Sequence, residues 1–167
     1  MQTATTAAIL IAMLLSAAIF GFFYAWICST MWGLDAADPR VAIEAMQAMN
    51  ASVRNIVFAP AFFGTPAALA LAALLLLLRG HQASAVAFGL AAAVYIGLAF
   101  IVTMGVNVPM NEALAITATP GDEEAAHAIW RDYSRPWQFW NQIRTVASGV
   151  SFLLAVSGLL MLKGGRI

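Results

Sequence analysis

Charge is what this sequence has least of. Only 10% of its 167 residues are Asp, Glu, Lys or Arg, against 62% apolar ones, and the formal net charge is zero. A soluble domain carries about a quarter charged residues, and a chain this short has too little interior to hide such an apolar excess. A zero balance supplies no basic surface, so no nucleic-acid partner is expected. Cysteine is almost missing too: Cys28 stands alone, which excludes an internal dithiol relay. The two histidines, His81 and His127, fall in connections expected on opposite sides of a bilayer and cannot jointly hold a haem or metal. The acidic residues show no metal-ligand spacing, and no metal site is expected. A P-loop, a nucleophile elbow and a dinucleotide fingerprint are all missing.

What fills the chain instead is apolar sequence. Runs over 7–32, 56–78, 85–106 and 145–162 contain no Asp, Glu, Lys, Arg or His, and each approaches or exceeds the roughly 18–20 residues that cross a bilayer. Backbone groups in lipid must pair internally, so each run is expected to be a helix. With its aromatic approach counted, the last span covers 138–162. The expected fold is all-α: one integral membrane domain over 1–167, a four-transmembrane-helix bundle with short extramembrane helices in the two long loops on one side. The first run lacks a basic leader and is too long for a cleavable signal core. All eight acids lie in the two long loops, 33–55 and 107–137, whereas Arg79, Lys163 and Arg166 lie on the other side. That asymmetry favours cytoplasmic termini in a bacterial inner membrane, although the long loops carry arginines of their own.

Both long loops carry helical signals. In "DPRVAIEAMQAMNASVRN" Asp38 is a cap, Pro39 takes the first helical position, and Val41, Ala42, Ala45, Met46 and Met49 recur at helical spacing. In "TPGDEEAAHAIWRDYSRP" Asp122, Glu123 and Glu124 favour a helix N-terminus, and Pro136 is expected to punctuate the chain before the last span. A faint echo links the halves: Asn50 and Arg54 precede span two as Asn141 and Arg144 precede span four. Asn107 and Asn111 leave span three at the same end. Four asparagines and two arginines therefore gather at one end of the bundle.

Two readings of that cluster compete. Trp130, Tyr133, Trp137 and Trp140 suit an interfacial aromatic belt, with Arg131 and Arg135 reaching headgroups. Arg144 fits that picture less well, because an ionisable group at the start of a span usually faces the bundle interior and marks function. Buried amides need partners as well. A ring of Asn and Arg with aromatic walls would hold a flat organic molecule carrying carbonyl or phenolate oxygens. The aromatic run "GFFYAW" in span one is assigned to packing or lipid contact by default.

"AMQAMN" in the first loop, "NVPMNEAL" after span three and "W..Y...W..WN..R" before span four resemble a family of small four-helix membrane proteins. That family includes the anthrone oxygenases of aromatic polyketide pathways. The resemblance covers most of the chain and implies oxidation of a small hydrophobic aromatic by dioxygen, with no cofactor. It implies Arg144 and Arg54 as oxyanion partners, with His127 or Glu112 as the base. Asn50, Asn107, Asn111 and Asn141 would orient carbonyls; Trp137 and Trp140 would stack, beside Trp130 and Tyr133. The alternative is a non-catalytic membrane module that uses the same cluster to bind a lipid, quinone or partner helix. Membrane lipids are expected partners either way, and the small residues of "AALALAALLLLL" leave homo-oligomers open.

Overall fold

The computed structural model describes residues 2–164, which are helical almost throughout, with no strand among them. Helix α1 runs Gln2–Asp35 and is α-helical except for a π-turn at Trp26–Thr30. Helix α2 is Pro39–Ser52 and α3 is Phe58–Leu78. Helix α4 runs Gln82–Ala115, with π-turns at Tyr95–Phe100 and Thr103–Asn107. Helix α5 is the single long element Glu123–Gly164. Of these, α1, α3, α4 and α5 are long and apolar enough to cross a membrane.

The outward faces agree with an apolar solvent. Leu10, Leu14, Leu71, Leu74, Leu78, Leu153 and Leu160 are all exposed, a continuous apolar surface that a water-soluble monomer would not carry. Inside the end that holds the short connection, small residues let the helices close up. Ala8, Ala12, Ala72, Ala91, Ala92 and Ala155 pack with Leu69, Leu76 and Phe88. A Cβ placed on Gly158 would come within 2.9 Å of the Phe88 ring, so α4 and α5 need glycine there. The connection itself is a left-handed helix stop: Gly80 has φ +80°, and the His81 and Gly80 amides donate to the Leu76 and Leu77 carbonyls.

Pro66 and Pro136 each lie well inside a long helix, and each has a named compensation. Pro66 supplies no N–H for the carbonyl of Phe62, four residues earlier. The buried Tyr95 hydroxyl donates to that carbonyl at 2.9 Å. Pro136 does not punctuate the chain as expected, since α5 passes straight through it. The reason is tertiary. Asp35, at the end of α1, accepts hydrogen bonds from Trp130 Nε1 at 2.9 Å, Ser134 Oγ at 2.7 Å and Gln138 Nε2 at 2.8 Å. One carboxylate thus clamps turns on both sides of the proline.

The first long connection contains the expected short helix. Asp38 caps α2 by accepting from the Arg40 amide at 2.9 Å, and Pro39 occupies its first turn. Hydrogen bonds from Arg40, first from its side chain and then from its amide, lower the Asp38 carboxyl to about 2. The second connection has no separate helix: its helical residues are the last turns of α4 and the first turns of α5, the latter capped by Asp122 on the Ala125 amide at 2.8 Å. Gln47 of α2 donates to the Leu114 and Thr117 carbonyls at 2.8 and 2.9 Å, which ties this end together. Met1 and Arg166 lie outside the described residues, as does the Lys163 side chain.

Candidate functional site

At the end that carries both long connections the bundle is hollow. A cavity of about 580 Å³ lies between α1, the end of α2, α3, the π-turn region of α4, and α5. Pockets of this size hold drug-sized organic ligands. Its walls are Phe22, Phe23 and Trp26 of α1, Phe58 and Phe62 of α3, and Trp137 of α5. Phe58 stacks on Phe62 at 5.5 Å between centroids, and Trp26 meets Trp137 edge-on at 5.1 Å.

Arg144 is the charge in the depth of this cavity, only 4% exposed. Its Nε donates to Asn141 Oδ1 at 2.9 Å, and Nη1 reaches Thr103 Oγ1 at 3.5 Å. Asn141 in turn donates to the Phe23 carbonyl at 3.2 Å, so α1, α4 and α5 all hold the guanidinium. The guanidinium carbon lies over the Phe23 ring at 4.7 Å and over the Trp137 ring at 4.9 Å. Such contacts are worth about 2 kcal/mol each when desolvated, while burying a charge costs several kcal/mol. Every ion pair found among the described residues is peripheral, and none includes Arg144. Among the described residues, the buried Arg144 cation thus has no carboxylate paired with it.

A second network stands on the wall. Asn111 Oδ1 accepts from Tyr133 Oη and from Trp137 Nε1, both at 2.8 Å. Asn50 Nδ2 donates to the Tyr133 hydroxyl at 3.4 Å. With its carbonyl doubly occupied, Asn111 keeps its amide NH₂ as a donor at the cavity lining. At the rim, Arg54 Nη2 and Glu112 Oε1 pair at 3.2 Å with both side chains more than half exposed. Glu112 is the one acidic residue of the lining.

The residues singled out from sequence divide into three positions. Arg144, Arg54, Glu112, Asn50, Asn111 and Trp137 line the cavity. Asn141, Asn107 and Tyr133 stand behind it: Asn107 donates to the Trp137 carbonyl at 3.4 Å, and its buried Oδ1 has no partner among the described residues. Trp130, Trp140 and His127 are not on the lining. Trp130 bonds Asp35, Trp140 packs on Phe139, and His127 is exposed. Sequence reasoning missed Phe58 and Phe62, the residues Phe22, Phe23 and Trp26 of "GFFYAW", which it assigned to packing or lipid contact, and Thr103. Only Thr103 offered a signal, as a hydroxyl inside a charge-free span.

Residues 55–154 match the family profile described as anthrone oxygenase. The matched segment carries Thr103, Asn111, Glu112, Trp137, Asn141 and Arg144, and excludes α1 and α2. No curated protein matches the chain, and no solved structure does.

Proposed function

Because the chain belongs to the anthrone oxygenase family, we propose that it is a membrane-embedded, cofactor-independent oxygenase of small hydrophobic aromatics of the anthrone type. The observation that carries this reading is Arg144, buried over two aromatic rings with no carboxylate to neutralise it. Such a cation is best used by an anion that forms in place. Loss of a methylene proton turns an anthrone into an aromatic enolate, whose oxygen would sit at the guanidinium. The enolate passes one electron to dioxygen, superoxide combines with the carbon radical, and the peroxide anion takes the abstracted proton back. The resulting hydroperoxide loses water to give the quinone. Overall, anthrone and O₂ become anthraquinone and H₂O.

Within the lining, Glu112 is the group suited to take the proton, and Arg54 orients it. The free amide of Asn111 suits a second substrate oxygen, and Trp137, Phe58 and Phe62 offer stacking surface. Asn141 and Thr103 are positioning residues for Arg144. We place the chain in a bacterial cytoplasmic membrane with the site end outward. Supporting this, all the acids lie at that end and Arg79 at the other.

The test is oxygen uptake. Anthrone with purified protein should consume O₂ faster than anthrone alone, and Arg144→Ala should lose about 100-fold or more of the gain, as when an oxyanion donor is removed. Equal rates with and without protein would end the catalytic reading for that substrate. The engagement of Glu112 by Arg54 favours one second reading, a non-catalytic module that binds a phenolic or lipid-like ligand in the same cavity. Ligand binding with oxygen excluded, and no uptake when it is admitted, would select that reading.

A further inference from the structure

The cavity has a weak side. Helices α3 and α4 pack together along Gln82–Val94 and hardly touch beyond Phe100. Below the gap, the Phe100 ring closes the seam against Phe62 at 5.1 Å and Phe63 at 5.8 Å. Above it, the Arg54–Glu112 pair bridges from the α2–α3 connection to the last turns of α4. Between these limits, Ala59 and Phe63 of α3 and Met104 and Val108 of α4 all line the cavity. Phe63 is also 54% exposed and Met104 44% exposed. Lining side chains this exposed mark where the cavity opens, and here they sit on two membrane-spanning helices. The lip beside this opening is apolar as well: Ile56, another lining residue, is 88% exposed. A route from water would not select such residues, whereas a route from lipid would.

We propose that this seam is a side window to the bilayer, through which the site takes up a membrane-dissolved ligand whose acidic aromatic head reaches Arg144 while a hydrocarbon chain trails out between α3 and α4. The inference rests on the reading of Arg144 as the partner of a ligand oxyanion. Its energetics are simple. Lipid tails and the seam residues are equally apolar, so a chain left in the seam neither gains nor loses much against the bilayer. A closed cavity would have to pack the whole chain inside, where overfilling is penalised. A trailing chain is therefore tolerated only if the window is real.

The experiment compares anthrone with an anthrone carrying a dodecyl chain. Each is titrated with oxygen excluded into the full chain in lipid nanodiscs, at matched mole fractions in the lipid. Quenching of tryptophan fluorescence reports occupancy, since Trp26 and Trp137 are in the lining. The wild-type protein should bind the two compounds with dissociation constants within about three-fold of each other. Ala59→Phe, and independently Val108→Phe, should raise the ratio of chain-bearing to plain constants by about ten-fold or more, equivalent to 1.4 kcal/mol. Rejection of the chain-bearing compound by the wild-type protein overturns the window, and this comparison stands even if a variant fails to fold. An unchanged ratio in folded variants overturns it too. In either case, Arg144-dependent binding of plain anthrone would leave the site itself intact. If neither compound binds, or if Arg144→Ala changes neither, the reading of the site fails and the window with it.

Discussion

At the scale of single residues, Arg144 sets function against stability. A buried charge with no ion-pair partner is a liability to the fold, and replacing such a group with an apolar side chain is often neutral or stabilising, by about 1–4 kcal/mol. Against this, Arg144→Met would orphan Asn141 Oδ1, at about 1–3 kcal/mol. The two effects nearly cancel. The expected outcome for Arg144→Met is therefore an unfolding temperature close to that of the wild type, together with loss of the oxygen-uptake gain. A collapse of thermal stability would instead make the guanidinium a structural strut. Arg144→Lys should not rescue activity, because an ammonium cannot lie flat over Phe23 and Trp137 while also reaching Asn141 and Thr103. Arg144 was legible in the sequence because a charge at the start of a span usually turns inward. Phe23 was not, because on a helix apolar all round no pattern separates inward from outward faces.

At the scale of elements, side chains from neighbouring helices decide where helices continue. Tyr95 answers for Pro66 by donating to the Phe62 carbonyl, and this pairing makes a double-mutant prediction. Tyr95→Phe alone leaves that buried carbonyl without a partner and should cost about 1–3 kcal/mol. In a Pro66→Ala background the alanine N–H can bond the same carbonyl, so the cost of Tyr95→Phe should fall below about 1 kcal/mol. Reversible unfolding in mixed micelles measures the four stabilities of the cycle. Equal costs in both backgrounds would show that the hydroxyl does not serve the proline. The Asp35 clamp works alike on α5, joining residues on both sides of Pro136. This explains why the four spans were readable from charge-free runs while the length of α5 was not. Continuity through a proline depends on a carboxylate about a hundred positions away in sequence, and no local signal carries that.

At the scale of the whole molecule, the bundle is dense at one end and hollow at the other. Alanine and glycine close the end that holds the short connection, and aromatic rings with a few amides hold the other end apart. The convergence of asparagines and arginines at the hollow end could be read from where the spans begin and stop. Which of them face the cavity could not, since that depends on how each helix is rotated against its neighbours and, for Asn111, on the π-turns that precede it in α4. The same polarity supports an orientation. All acids belong to the hollow end, and the short connection at the dense end carries the basic Arg79 with no acid, an asymmetry that favours a cytoplasmic dense end although Arg40, Arg54, Arg131 and Arg135 lie at the hollow end. In a Cys28→Ala background, Ala51→Cys at the hollow end and Ala83→Cys at the dense end each put a thiol at an exposed position. A membrane-impermeant maleimide applied to intact spheroplasts should label Ala51→Cys at once and Ala83→Cys only after permeabilisation. The opposite pattern would put the hollow end in the cytoplasm, so that any ligand released there would meet the cell interior first.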